Sequence, residues 1–198
     1  MRSAFDRLLA EIRACRICAS HLPLGPRPVL QVSASARLLI VSQAPGRKVH
    51  DTGIPFNDAS GERLRDWLGI DRDTFYDASR IAIVPMGLCF PGTARGGDLP
   101  PRPECAPNWH PRLLPLLTQV RLTLLIGQYA QAGVLGLPRG TRLTDTVLTW
   151  REQLAHARLP LPHPSPRNRL WLARNPWFAE ELLPVLRERV AEALSAAD

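Results

Sequence analysis

Two spacings of apolar residues alternate along the chain, and their alternation lays out the fold. Compact apolar runs at residues 38–41 and 122–126, and Ile81-Ala82-Ile83-Val84 behind Arg80, have the length and continuity of strands buried on both faces. Between them the spacing lengthens to that of helices. Phe5, Leu8, Leu9 and Ile12 recur among charges over residues 1–13, and Leu64, Trp67 and Leu68 share one face of a helix starting near Ser60-Gly61-Glu62. Residues 112–120 and 128–135 also read as helices. Leu159 to Leu161 is a short fourth strand, and Phe178, Leu182, Leu183, Leu186 and Val190 make 176–193 an amphipathic last helix. Proline and glycine punctuate the rest: residues 21–28 form an extended connection, and 87–103 a loop unsuited to regular structure. Strands alternating with helices predict an α/β fold, a three-layer α/β/α sandwich around a small, mainly parallel, four-stranded sheet.

A chain of 198 residues is long enough for one well-buried domain, expected over 1–198. Its 45% apolar and 22% charged content suits a water-soluble globule, and no apolar run approaches the ~18 residues of a membrane span. The first helix mixes charges among its apolar residues where a secretory leader needs a continuous apolar stretch, so a cytoplasmic protein without membrane partners, working as a monomer, is expected. A net charge of +7 suits a polyanionic partner as well as it suits a solubilising surface. Nearly all of the positive charge is arginine, with Lys48 the only lysine. Amine attack on a sugar has few candidates here beyond Lys48 and the α-amino group, which favours water as a nucleophile.

Cys15 and Cys18 are two residues apart, and fifteen residues separate Cys89 from Cys105. In a reducing compartment such a set reads as metal or iron–sulfur ligands more readily than as disulfides. Zinc fits four thiolates equally well, and four unrelated buried thiols are a third reading.

Two short segments carry the candidate chemistry. Ser42-Gln43-Ala44-Pro45-Gly46 follows the first strand, where open α/β sheets place ligand-binding groups. His163-Pro164-Ser165-Pro166-Arg167-Asn168 sets an imidazole in a loop stiffened by prolines. Both resemble signature motifs of the uracil-DNA glycosylase superfamily, and the likeness runs from about Cys15 to the last helix. The first is similar to the Gly-Glu-Ala-Pro-Gly motif of the iron–sulfur family 4 branch, including a glycine seven residues later and a Pro-Phe pair, here Gly53 and Pro55-Phe56. The resemblance implies a base pocket bordered by Ala44, Pro45 and Gly46, with Phe56 stacked on a flipped base. It also implies a [4Fe–4S] cluster on Cys15, Cys18, Cys89 and Cys105, zinc being the alternative. The second segment matches the motif of the single-strand-selective monofunctional uracil glycosylases. By that likeness His163 contacts the base and Arg167 is the wedge filling the space of the flipped nucleotide, in a DNA-contacting loop with Ser165, Pro166 and Asn168.

Two departures bear on the chemistry. Gln43 stands where family 4 has a glutamate, and an amide cannot take a proton from water. Catalysis then rests on stabilising the leaving base, a task for His163, while Gln43 orients water. Asp51 and Asp58 are candidates for the missing carboxylate, and His50 is another candidate base. Pro85 stands where family 4 has the asparagine that reads the uracil edge, which shifts base readout to the main chain of Pro85, Met86 and Gly87 or to another side chain. The expected function is a DNA repair glycosylase that excises uracil or a related deaminated base by hydrolysis. The alternative is a noncatalytic iron–sulfur DNA-binding protein of the same fold.

Overall fold

The apolar runs fold as strands because helices cover both of their faces. The structure, a computed structural model, describes residues 3–195. In chain order, helix α1 (Ala4–Arg13) precedes strand β1 (Leu38–Val41), helices α2 (Arg47–Thr52), α3 (Ala59–Leu68) and α4 (Arg72–Tyr76), and strand β2 (Ile81–Ile83). A hairpin of β3 (Thr93–Ala94) and β4 (Gly97–Asp98) leads to α5 (Cys105–Leu113), β5 (Leu122–Ile126) and α6 (Gly127–Leu135). Then come α7 (Leu143–Leu148), α8 (Trp150–Leu154), β6 (Arg158–Leu161), α9 (Arg169–Arg174) and α10 (Leu183–Leu194). None of these helices is long and apolar enough to cross a membrane.

The four-stranded sheet has the order β2-β1-β5-β6 with every pairing parallel. Leu38 sits opposite Ile81 on one side and Leu122 on the other. Successive residues of β1 enter opposite cores: Leu38 and Ile40 join α3, α10 and Trp150 on one face, whereas Leu39 and Val41 join α1, α5 and Ala130 on the other. The result is the three-layer α/β/α sandwich that the alternation predicts. Gln31 closes the free edge of β2 by exchanging backbone hydrogen bonds with Ile83, at 3.0 and 2.7 Å. Pro160 is tolerated because β6 is the opposite edge, where a missing N–H costs no ladder bond. β1 lies between β2 and β5, so the chain changes winding direction there and a crevice opens at the strand carboxyl ends.

Several boundaries differ from the sequence pattern. The first helix starts at Ala4 behind a Ser3/Asp6 capping box, and residues 1 and 2 lie outside the described residues. The helix expected over 112–120 lies upstream instead, over Cys105–Leu113. Its buried face is Ala106, Trp109 and Leu113, and Pro115 in the following 3-10 turn disfavours continuation. The stretch 87–103 contains the hairpin, whose buried Gly97 has φ 126°, a value open to glycine and strained for other residues. The last helix opens with a π-helical turn, Phe178–Leu182, in which the Leu183 N–H reaches back to Phe178 O. Pro184 has no N–H to offer Glu180, so the regular ladder cannot form at that point.

Gly61 in α3 fixes how the turn before it packs. A Cβ placed there would lie 1.7 Å from Phe56 O, and Phe56 itself holds φ 53°. Gly61→Ala is therefore expected to destabilise the fold by at least ~1–3 kcal/mol, as overpacking does, read as a lower urea midpoint with an unchanged m-value.

Candidate active site

A cavity of about 340 Å³ opens at the carboxyl ends of the strands. β1 delivers Ser42, Ala44, Pro45 and Gly46 to its wall, β2 delivers Pro85, and β6 delivers His163, Ser165, Pro166 and Arg167. Two further segments close it, Pro55 to Asp58 before α3 and Asp98 at the end of the hairpin. Behind the imidazole, Gly127 has φ 80° and approaches so closely that a Cβ there would lie 3.4 Å from His163 Cβ.

The protonation of His163 follows from its own loop. The backbone N–H of Ser165 donates to His163 Nδ1 at 3.2 Å, so Nδ1 keeps its lone pair and the neutral ring carries its proton on Nε2. The loop is held in turn by Arg63 of α3, which donates to Ser165 O at 3.1 Å and Pro164 O at 3.4 Å. Asn168 Nδ2 donates to His163 O at 2.7 Å. Burial pushes the imidazole below its ordinary value of 6.5, while the charges of Asp58 and Asp98 pull it upward. Near neutral pH the group is a neutral hydrogen-bond donor.

Phe56 lines the cavity with its ring set edge-on to Phe75, at 6.1 Å between centroids and 85° between planes. Tyr76 Oη donates to Pro55 O at 3.0 Å and ties the turn to α4. The positive φ of Phe56 is a strained backbone state of the kind found at ligand sites.

The structure separates the remaining expected residues. Gln43 does not line the base cavity. It lines an adjoining one of about 330 Å³ with Gln128, Tyr129 and Asn168, and the two share Ala44, Asp98, His163, Ser165 and Arg167 as a wall. His50 lies in neither cavity: it is buried against Phe90, with 6.0 Å between ring centroids. Burial lowers its pKa and its Nδ1 lacks a partner among the described residues. Asp51 lies outside both cavities, ion-paired with Arg47 at 3.0 Å. Asp58 does line the base cavity, but its Oδ1 caps α3 by accepting from Gly61 N at 2.9 Å.

Met86 and Gly87 do not line the base cavity, and their amides are committed to Ser42 O at 2.8 Å and Gln43 O at 2.9 Å. A Cβ on Gly133 would collide with the Met86 side chain, so Met86 packs onto α6. Pro85 has no N–H, and its carbonyl is paired with His110 Nε2 at 3.1 Å. The N–H groups of Met86 and Gly87 are thus already paired within the protein, and Pro85 has none to offer.

Asp98 was not among the sequence candidates, because it sits in a segment read as structureless. The Gly96-Gly97 pair before it was the available signal, since paired glycines mark a tight turn. Its Oδ2 lies over the first motif: a Cβ on Gly46 would be 3.2 Å away. Arg167 Nη1 donates to Gly96 O at 3.1 Å and occupies the space in which a Gly97 side chain would sit.

Away from this cavity, Cys15, Cys18, Cys89 and Cys105 line one small pocket of about 20 Å³ with Leu88 and Trp109. Leu88 N–H donates to Cys105 Sγ at 3.3 Å. Burial pushes Cys89 up to about 11 and Cys105 up to about 12, and the neighbouring cysteines add to both shifts. Among the described residues no three His, Cys, Asp or Glu side chains are arranged to hold a single metal ion. Four thiols around one pocket are a donor set of the kind that thiolate-bound metal groups take.

Nitrogen-15 NMR should find His163 as the Nε2–H tautomer at pH 7, titrating below 6.5. Between that lowered value and 6.5 the unfolded chain binds the proton that the folded one does not. The histidine thus contributes stability that rises with pH across this window and is lost as pH falls through it, visible as a lower denaturation midpoint.

Sequence comparison agrees with this geometry. The family model described as the uracil DNA glycosylase superfamily matches residues 30–187, from the segment that covers the edge of β2 into α10. That span contains both motifs, the hairpin and every residue lining the cavity except Val29. With most of its length matched and its cavity at the strand ends, the chain belongs to the uracil DNA glycosylase superfamily, a family of DNA glycosylases acting on damaged bases.

Proposed function

We propose that the chain is a monofunctional glycosylase that flips uracil or a related deaminated base out of DNA and hydrolyses its N-glycosidic bond, leaving an abasic site. The neutral imidazole of His163 carries this proposal. An Nε2–H donor held by its own loop, in a cavity that also presents an aromatic ring, suits the negative charge that builds on a departing base. Phe56 offers a stacking surface that is tolerant of base identity. The Pro85–Gly87 segment presents no amide side chain and no unpaired amide, which supports a wider choice among deaminated bases than an asparagine would allow. The high arginine content adds affinity for the phosphate backbone.

The four cysteines are proposed to hold a [4Fe–4S] cluster. Their shared pocket supports a group held by all four thiolates, with zinc the alternative. When bound, such a group would supply a structural cross-link between the Cys15/Cys18 turn and the Cys89–Cys105 segment. Protein handled without oxygen should contain about four iron atoms per chain and absorb broadly in the near-ultraviolet and visible; zinc in a colourless protein overturns this assignment.

The test of the function is incubation with single- and double-stranded oligonucleotides bearing uracil, hypoxanthine or xanthine, followed by alkaline cleavage at abasic sites. Product from at least one is expected. Binding without product from any would leave the noncatalytic reading, which the distance of Gln43 from the base cavity favours. His163→Ala should lower the single-turnover rate by ~10²–10³ and spare DNA affinity. Arg167→Ala should slow duplex excision at least several-fold more than single-strand excision, because only the duplex needs its stack broken and its gap filled. Equal losses that vanish with added salt would make Arg167 a phosphate anchor.

A further inference from the structure

We propose that Asp98, carried into the cavity by the β3–β4 hairpin, activates the hydrolytic water that Gln43 cannot. This inference rests on the glycosylase function proposed above. Two carboxylates line the base cavity, Asp58 and Asp98, and both act on the charge of His163. Asp58 spends one oxygen on the N-terminus of α3. Among the described residues Asp98 belongs to none of the ion pairs, and its carboxylate accepts one side-chain hydrogen bond, a long one of 3.4 Å from Thr93 Oγ1 to Oδ1. That leaves Oδ2 over Gly46, at the first motif, in a cavity that it shares with His163.

The surroundings keep it there. The hairpin is closed at its base by Leu99 N–H donating to Gly92 O at 2.8 Å, and is tied at its tip to Arg167 through Gly96 O. Gly46 has no side chain to push the carboxylate out. A Cβ at that position would stand 3.2 Å from Oδ2, a tight contact that the glycine spares the carboxylate.

The step balances as a hydrolysis. The C1′–N bond breaks with its electron pair leaving on the base, whose developing negative charge meets the Nε2–H of His163. Water adds through oxygen to C1′, and the proton it sheds passes to the Asp98 carboxylate, which later releases it to solvent. The base anion takes up a proton from solvent, equal to the one Asp98 releases, and the products are the free base and an abasic sugar with a 1′-hydroxyl. No oxidant, amine or metal ion enters.

The experiment compares wild type with Asp98→Asn, Asp98→Ala and Asp98→Glu in single-turnover excision on a base that the wild type removes. Asn and Ala should lose ~10²–10⁴ in rate, the range for a positioned general base, while holding DNA affinity within about threefold; Glu should recover part of the loss. Azide needs no deprotonation, so it should accelerate Asp98→Ala at least about tenfold and leave a 1′-azido sugar detectable by mass. Rates for Asn and Ala within about threefold of wild type overturn the proposal, as does a loss that azide does not lift. These results differ from failure of the function itself, in which the wild type excises nothing and both proposals fall.

Discussion

Burial of both faces of a four-stranded parallel sheet is the constraint from which everything else in this protein follows. Leu38 and Ile40 need one layer of helices and Leu39 and Val41 another, so each connection must cross the sheet on one side or the other. With β1 flanked by β2 and β5, the connections run away from each other and leave the strand ends uncovered. The site is therefore a by-product of how the core is satisfied. Pro85, His163 and the first motif, far apart in sequence, meet because each begins where a buried strand stops.

Within that crevice the second level of organisation is hydrogen bonding that fixes protonation as well as position. Ser165 selects the tautomer of His163 with a single backbone amide two residues away, and Arg63 and Asn168 hold the loop that makes the contact possible. Such preorganisation matters because a donor already aimed needs no rearrangement as charge develops. The same economy appears between the ends of β1 and β2, where the Ser42 and Gln43 carbonyls absorb the amides of Met86 and Gly87. That pairing stabilises the crevice wall and removes those donors from base recognition.

Strands were the most legible part of the sequence. Their continuous apolar runs leave little ambiguity, whereas short helices such as α2, α8 and α9 bury too few residues to impose a period. The helix placed at 112–120 shows how proline misleads: Pro111 looks like a start, yet it sits inside α5, whose buried face begins at Ala106. His163 and Phe56 were readable because their neighbours are distinctive. Asp98 was not, since an acid in a Gly-Pro-rich segment has no periodicity around it, and its place depends on Arg167, 69 residues later, and on the missing side chain of Gly46. Gln43 and His50 show the converse. Position in a motif suggested chemistry, but the backbone turns one toward a neighbouring cavity and packs the other against Phe90.

The contact between Arg167 and the hairpin tip makes two loops into one moving part. The guanidinium fills the volume above Gly97 and holds Gly96 O, so it cannot swing toward a duplex without releasing the segment that carries Asp98. An Arg167 that entered DNA as proposed would give up its one hydrogen bond to the hairpin that carries Asp98. The state of the bound strand would then reach the cavity through the hairpin tip, by the making or breaking of one 3.1 Å hydrogen bond.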